Sequence, residues 1–178
     1  CMVDAGGNVL RPAIMYNDSR ALAEAEEVNR VGAALARKLG YRFSPSFALP
    51  KLVWLRNHEP DLFHHARHFL SPTDFIVGRL AGSFGSTDYN NALKSGYDLM
   101  DDRWPDFIAS DLGIPQEPLP SVVAPGTEVG AVCRTVSRQT GLSTGTPVLA
   151  GMTDGCASHV STGAVAPVSP ATRSMRAS

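Results

Sequence analysis

An α/β fold is the class that this 178-residue sequence predicts. Three observations carry it. Short apolar stretches of strand character alternate with amphipathic stretches of helical period. Helix start and stop residues stand at the ends of the latter. No internal repeat or low-complexity block interrupts the alternation, and mixed strands and helices in one chain define the class.

The elements follow in order. Cys1, Met2 and Val3 read as a strand, and Gly6-Gly7-Asn8 is hairpin-turn chemistry before Val9-Leu10. Ala21 to Leu39 is the clearest helix: Leu22, Ala25, Val28, Leu35 and Leu39 recur at helical spacing, and Gly40 is a stop signal. Pro50 opens a short helix through Leu52, Trp54 and Leu55 that must end near Pro60. Asp61 to His68 is expected to be helical. Ser71-Pro72-Thr73-Asp74 predicts a capped helix start, with the helix running to Leu80 and Gly82 as terminator. Phe84 to Asn90 is expected to be extended. Trp104 to Leu112 is expected to be a helix closed by Gly113. Pro115 to Pro125 is expected to be an irregular connection. Glu128 to Val132 reads as a strand, Arg134 to Thr140 as a helix, and Pro147 to Ala150 as a strand. Gly151 to Gly155 then turns the chain into a small-residue helix beginning at Cys156.

Composition narrows the function. Hydrophobic residues make up 43% of the chain and charged residues 19%, which is the balance of a folded domain. Sixteen basic against 17 acidic residues give a net charge of −1, which argues against a nucleic-acid surface or a polybasic membrane anchor. No apolar run reaches the length of about 18 residues that a membrane helix needs. Cys1, Cys133 and Cys156 form no C-x-x-C pair, which argues against a disulfide framework or a cysteine zinc site and fits a cytoplasmic location. The chain opens on Cys1 inside a strand, with no basic stretch before an apolar core. That pattern predicts a piece of a longer protein and no signal peptide. Val168 to Ser178 is poor in bulky apolar residues and is expected to be a loose tail.

Chemistry can sit in three polar clusters. In Gly151-Met152-Thr153-Asp154-Gly155 an apolar strand ends and a helix begins, and ligands of open α/β sheets bind at such strand ends. Asp154 there can accept a proton from a substrate hydroxyl. Gly151 and Gly155, lacking side chains, let a substrate come close to the backbone. From spacing alone a helix cap is the better reading of Asp154. The same holds for Asp18 in Asn17-Asp18-Ser19-Arg20, whose alternative role is to line a polar cleft. The third cluster, Thr87 to Lys94, places a lysine among amides that can donate to sugar hydroxyls or a phosphate, against the plain alternative of a solvated loop. His64 and His68 stand one helical turn apart, but no nearby Glu or Cys completes a metal set.

Taken in order, these stretches resemble the N-terminal lobe of the FGGY family of carbohydrate kinases, from Met2 to about Pro167. The family's W-x-D-x-R element corresponds to Tyr16-Asn17-Asp18-Ser19-Arg20, and its K-L-x-W-L to Lys51-Leu52-Val53-Trp54-Leu55. Asp74-Phe75-Ile76 with Leu80-Ala81-Gly82, Thr87 to Ala92, Gly145-Thr146-Pro147-Val148 and the G-x-x-D turn Gly151-Met152-Thr153-Asp154 complete the set. The resemblance implies a ribonuclease-H-like lobe of the actin/hexokinase group, incomplete, with a mixed sheet flanked by helices. It implies ATP-dependent phosphorylation of a small sugar, with Asp154 as the base that takes the hydroxyl proton. Lys94, Asp18 and Gly155 are the implied sugar-side residues, Asp18 with Arg20 reading as more architectural than catalytic. The Gly-Met-Thr-Asp form is similar to pentulose-kinase-like members, which implies a ketopentose such as ribulose or xylulose.

The departures are specific. The family's D-x-G-T hairpin and its Gly-Thr-Ser nucleotide turn are missing, and Tyr16 stands in place of Trp. ATP and Mg2+ are therefore expected to be held mainly by segments outside this chain, and the chain alone is expected to be inactive. An open sheet edge predicts self-association. Two further readings stand beside the kinase: a non-catalytic sugar-binding or regulatory module of the same fold, and a degenerate remnant.

Overall fold

The computed structural model describes residues 1–163, so the expected tail from Val168 onward lies outside the described residues. The elements run β1 (Met2–Val3), α1 (Leu22–Val31), α2 (Ala33–Leu39), α3 (Ala48–His58), α4 (Pro60–His65), β2 (His68–Phe69), α5 (Pro72–Ala81), β3 (Ser86–Asp88), α6 (Tyr89–Lys94), α7 (Phe107–Ser110), β4 (Ser121–Val123), β5 (Glu128–Ala131), α8 (Arg134–Thr140), β6 (Pro147–Leu149) and α9 (Asp154–Ser161). The strands form three two-stranded ladders: β1 with β2 antiparallel, β3 with β4 parallel, and β5 with β6 antiparallel.

The core is mainly helical. Val28 of α1, Leu49 and Val53 of α3, and Ile108, Leu112 and Ile114 around α7 are fully enclosed. Met2 and Phe69, paired across β1 and β2, join the same cluster. Tyr41, Phe43 and Phe47 pack edge-on and tilted at 5.0–6.2 Å beneath α3. Burying such side chains contributes about 1.5–3 kcal/mol each, which is why the short ladders need no longer sheet to hold them.

Five local expectations give way to tertiary packing. The long helix is divided at Gly32, where the backbone leaves the helical region and the Phe107 ring comes within 3.0 Å of where a Cβ would stand. Glycine is the cheapest place to interrupt a helix. The helix after Asp61 stops at His65, because His68–Phe69 extends to pair with β1. His64 and His68 therefore do not share a helix. Trp104 precedes Pro105, which disfavours a helical residue there, and only Phe107–Ser110 is α-helical. Ser121–Val123, flanked by Pro120 and Pro125, is a strand rather than irregular, parallel to β3. Tyr89 to Lys94 is helical rather than extended or loop. Asp88 supplies the signal as its N-cap, accepting the Asn90 and Asn91 N–H groups at 2.8 and 3.2 Å.

α5 matches its expectation at both ends. Ser71 accepts the Asp74 N–H at 3.1 Å while Asp74 accepts the Ser71 N–H at 2.9 Å, a reciprocal cap. Gly82, in the left-handed conformation, ends the helix. Its interior Gly78 has a packing reason: a Cβ there would stand 2.3 Å from the Phe84 ring, which lies equally close to Gly7 in the hairpin turn. Phe84 thus keys β1's turn to α5.

Candidate active site

A cavity of about 220 Å³ lies between β1, the loop from Arg11 to Tyr16, α3, the start of α5 and α6. Met2, Leu52, Leu55 and Phe69 make its apolar floor. Lys51, Asp74, Thr87, Asn91, Lys94 and Ser95 are among its polar lining residues. A shape of this kind, apolar with a few convergent polar groups, suits a small polar molecule with an apolar edge.

Each polar group has a local cause. Lys94, in the last turn of α6, is exposed and borders the cavity, so this cation belongs to a helix end and not to a loop. Asp74 is there because the helix cap holds it. Burial pushes its carboxyl above the usual carboxylate range, against the lowering effect of the Ser71 and Thr87 hydrogen bonds. Lys51 is buried on α3, and its Nζ donates to the Met15 carbonyl at 2.6 Å and the Ser46 carbonyl at 3.3 Å. Burial lowers its pKa, with the Asp18 charge acting the other way. Lys51 ties the loop over the cavity to the helix below it. The sequence shows this lysine inside the K-L-x-W-L stretch but gives no sign that it faces backbone carbonyls.

Asp18 does not cap α1, whose N-cap is Ala21 with no side-chain bond. Its carboxylate accepts the Arg20 N–H at 3.0 Å and the Arg20 guanidinium at 2.8–3.0 Å. Those bonds, the guanidinium first, hold it below the usual carboxylate range. Arg20 in turn sits 4.9 Å over the Trp54 ring, and Trp54 stacks on His58 at 4.6 Å. Asp18 is thus committed to a stack that fastens the loop to α3, and it is not among the residues lining the cavity.

Asp154 occupies the first position of α9, with Thr153 as the N-cap, so it is not the cap that spacing alone favours. One carboxylate oxygen accepts the Gly155 N–H at 2.8 Å. The residue is exposed, and nothing stands within 4 Å of where a Gly155 Cβ would be. Gly151 differs: a Cβ there would meet the Thr73 methyl at 2.6 Å, so packing against α5 asks for a glycine here. The strand preceding the turn, β6, is half of an antiparallel pair, so the rule for ends of open parallel sheets does not place a ligand there. Of the four expected site residues the structure brings Lys94 to the cavity. Asp18, Asp154 and Gly155 lie outside its lining.

A match to the N-terminal domain of the FGGY family of carbohydrate kinases covers residues 1–161. The chain belongs to this family. It is 30% identical over 167 residues to the xylulose kinase of Escherichia coli K12, an alignment covering 92% of this chain and 34% of that protein. It is 30% identical over 170 residues to the ribulokinase of Shouchella clausii, covering 88% of this chain and 29% of that protein. Among solved structures, the xylulose kinase of Rhodospirillum rubrum superposes with a TM-score of 0.84 at 30% identity, over 93% of this chain and 34% of that one. The fold is therefore that of the FGGY sugar kinases, here as a partial lobe. The chain spans about a third of the length of these relatives.

Among the described residues no three His, Cys, Asp or Glu side chains are grouped to hold a metal ion. No described helix is long and apolar enough to cross a membrane.

Proposed function

We propose that the full-length protein carrying this chain phosphorylates a small sugar, a ketopentose such as D-ribulose or D-xylulose, at the expense of ATP. Asp154 is the general base. Phosphoryl transfer asks little covalent chemistry of the protein and much positioning. This chain's part is to hold the sugar and accept a proton. The Asp154 oxygen not engaged by the Gly155 N–H is available to take the hydroxyl proton, and the engaged one fixes the carboxylate plane. Open space over Gly155 admits the sugar to the backbone. Lys94 donates to sugar hydroxyls from the end of α6, and Asp18 acts through Arg20 by holding the loop that roofs the cavity. The ketopentose is supported by relatives named xylulose kinase and ribulokinase. ATP and Mg2+ are held mainly by segments outside this chain.

The observation that carries this reading is a carboxylate left exposed at the first turn of α9, inside the stretch that matches the family. The test is a sugar panel with ATP. Wild type should turn over a ketopentose, and Asp154→Asn should lose about 10²–10⁴-fold in kcat with an unchanged melting temperature. The 178-residue chain alone should transfer no phosphate. Full turnover by Asp154→Asn would remove Asp154 from the chemistry. One observation favours a second reading, a sugar-binding module without turnover: Asp154 is not among the residues that line the cavity. That reading requires sugar binding that is indifferent to Asp154→Asn and no phosphorylation by the full-length protein.

A further inference from the structure

We propose that Thr73 is a positioning residue for Asp154, acting through Gly151. The proposal rests on the reading of Asp154 as the base.

The turn that presents Asp154 has few holds of its own. The β5–β6 pairing ends at Ala150, whose N–H and carbonyl bond Thr127 and Gly126 at 2.8 Å. Beyond it α9 has no buried residue. Between these two points Gly151 rests on α5: the Thr73 methyl is the one described atom within 4 Å that a Gly151 Cβ would meet outside its immediate neighbours, and it stands at 2.6 Å. Gly151 is not among the glycines of positive φ, so its backbone accepts any L-residue. Among the described residues, the Thr73 methyl is what a side chain at position 151 would meet.

Thr73 itself is held firmly. It lies in the first turn of α5, between Pro72 and Asp74, where the reciprocal cap fixes the backbone. The same turn lines the cavity with Ser71, Pro72 and Asp74. One rigid turn therefore sets both a wall of the cavity and the seat of the strand end that leads to the base. A misplacement of the base by about 1 Å costs on the order of a hundredfold in rate.

The experiment is a suppressor pair in the full-length protein. Gly151→Ala pushes the turn off Thr73 and should lower kcat about a hundredfold while leaving KM for the sugar unchanged, because the cavity wall stays in place. Thr73→Ser removes the methyl on which Gly151 rests and should by itself lower kcat about tenfold with KM unchanged. The double variant moves the methyl from residue 73 to residue 151, restores the contact and should return kcat to within about threefold of wild type. Normal kcat in Gly151→Ala, normal kcat in Thr73→Ser, or a double variant as slow as Gly151→Ala overturns the proposal. If Gly151→Ala does not accumulate in soluble form, the double variant carries the test alone: soluble and active supports it, insoluble or inactive overturns it. Asp154→Asn measured beside them separates the two ideas. Should it turn over normally, the base assignment fails and the positioning role with it. Should it be inactive while Gly151→Ala is normal, only the positioning role fails.

Discussion

Every member of the main core cluster lies between Met2 and Leu119, whereas from Ser121 to Gly163 the buried apolar side chains are Val132, Val148 and Ala150. The cavity is built in the first region and Asp154 stands in the second. In the first region α1, α3 and α7 enclose large side chains, and the cavity's Asp74 and Lys51 are held by a cap and by carbonyls. Around Asp154, α8 and α9 bury nothing, and the hold comes from α5, through the Cys133 N–H bond to the Leu80 carbonyl and the Gly151–Thr73 contact. The difference teaches that the cavity and the Asp154 turn are stabilised by separate parts of this chain, with α5 as the support they share.

The largest effect that tests this contrast is in hydrogen exchange. Backbone amides of α9 should exchange at least about 10³-fold faster than those of α3, because local opening there exposes no buried apolar surface. Mass-spectrometric exchange on the 178-residue chain reads this directly, and equal protection of the two helices would erase the contrast. Next in size is a pair of truncations. Leu49→Ala, in the main core, should cost about 2–5 kcal/mol of unfolding free energy. Val148→Ala, in the thin region, should cost about 1–2 kcal/mol. Urea titrations followed by tryptophan fluorescence compare them, and a larger loss at Val148 would show that the second region carries the core.

The sequence and the structure agree most where the cause is local. The α5 cap, the Gly82 and Gly141 stops, the β5 and β6 strands and the hairpin turn before Val9 are written in residues a few positions apart, and each forms as those residues predict. The family resemblance, carried by ordered short stretches, agrees with the match over residues 1–161. What stayed hidden depends on distant partners. The break at Gly32 is packed by Phe107, the strand at His68 needs Val3, and the parallel strand at Ser121 needs Ser86. The same holds for the site. Asp88 caps α6 by a local rule that the run of amides obscured. Lys51 and Thr73 matter through carbonyls and a glycine 36 and 78 positions away in the chain. Asp18 and Arg20, two residues apart, satisfy each other, and only the fold shows that this removes the carboxylate from the cavity lining.

The smallest effect concerns Asp74, the buried carboxylate at the point where the two regions meet. Its folded pKa is raised, by burial first and with the neighbouring Asp88 charge adding to it, so the folded state binds its proton more tightly than the unfolded chain does. A raised acid means stability falls as pH rises from the unfolded value of 3.8 through the higher folded value, and then levels off. Asp74→Asn removes that titration and keeps an oxygen able to accept the Ser71 N–H. Relative to wild type, the variant should therefore gain stability between pH 4 and neutrality, with the cap intact and α5 still in place. Urea midpoints across that range measure the difference, provided both proteins keep the same slope. If the variant instead loses ground as pH rises, the ionised carboxylate is stabilising, and the cap on the turn that carries Thr73 depends on charge and not on hydrogen-bond geometry.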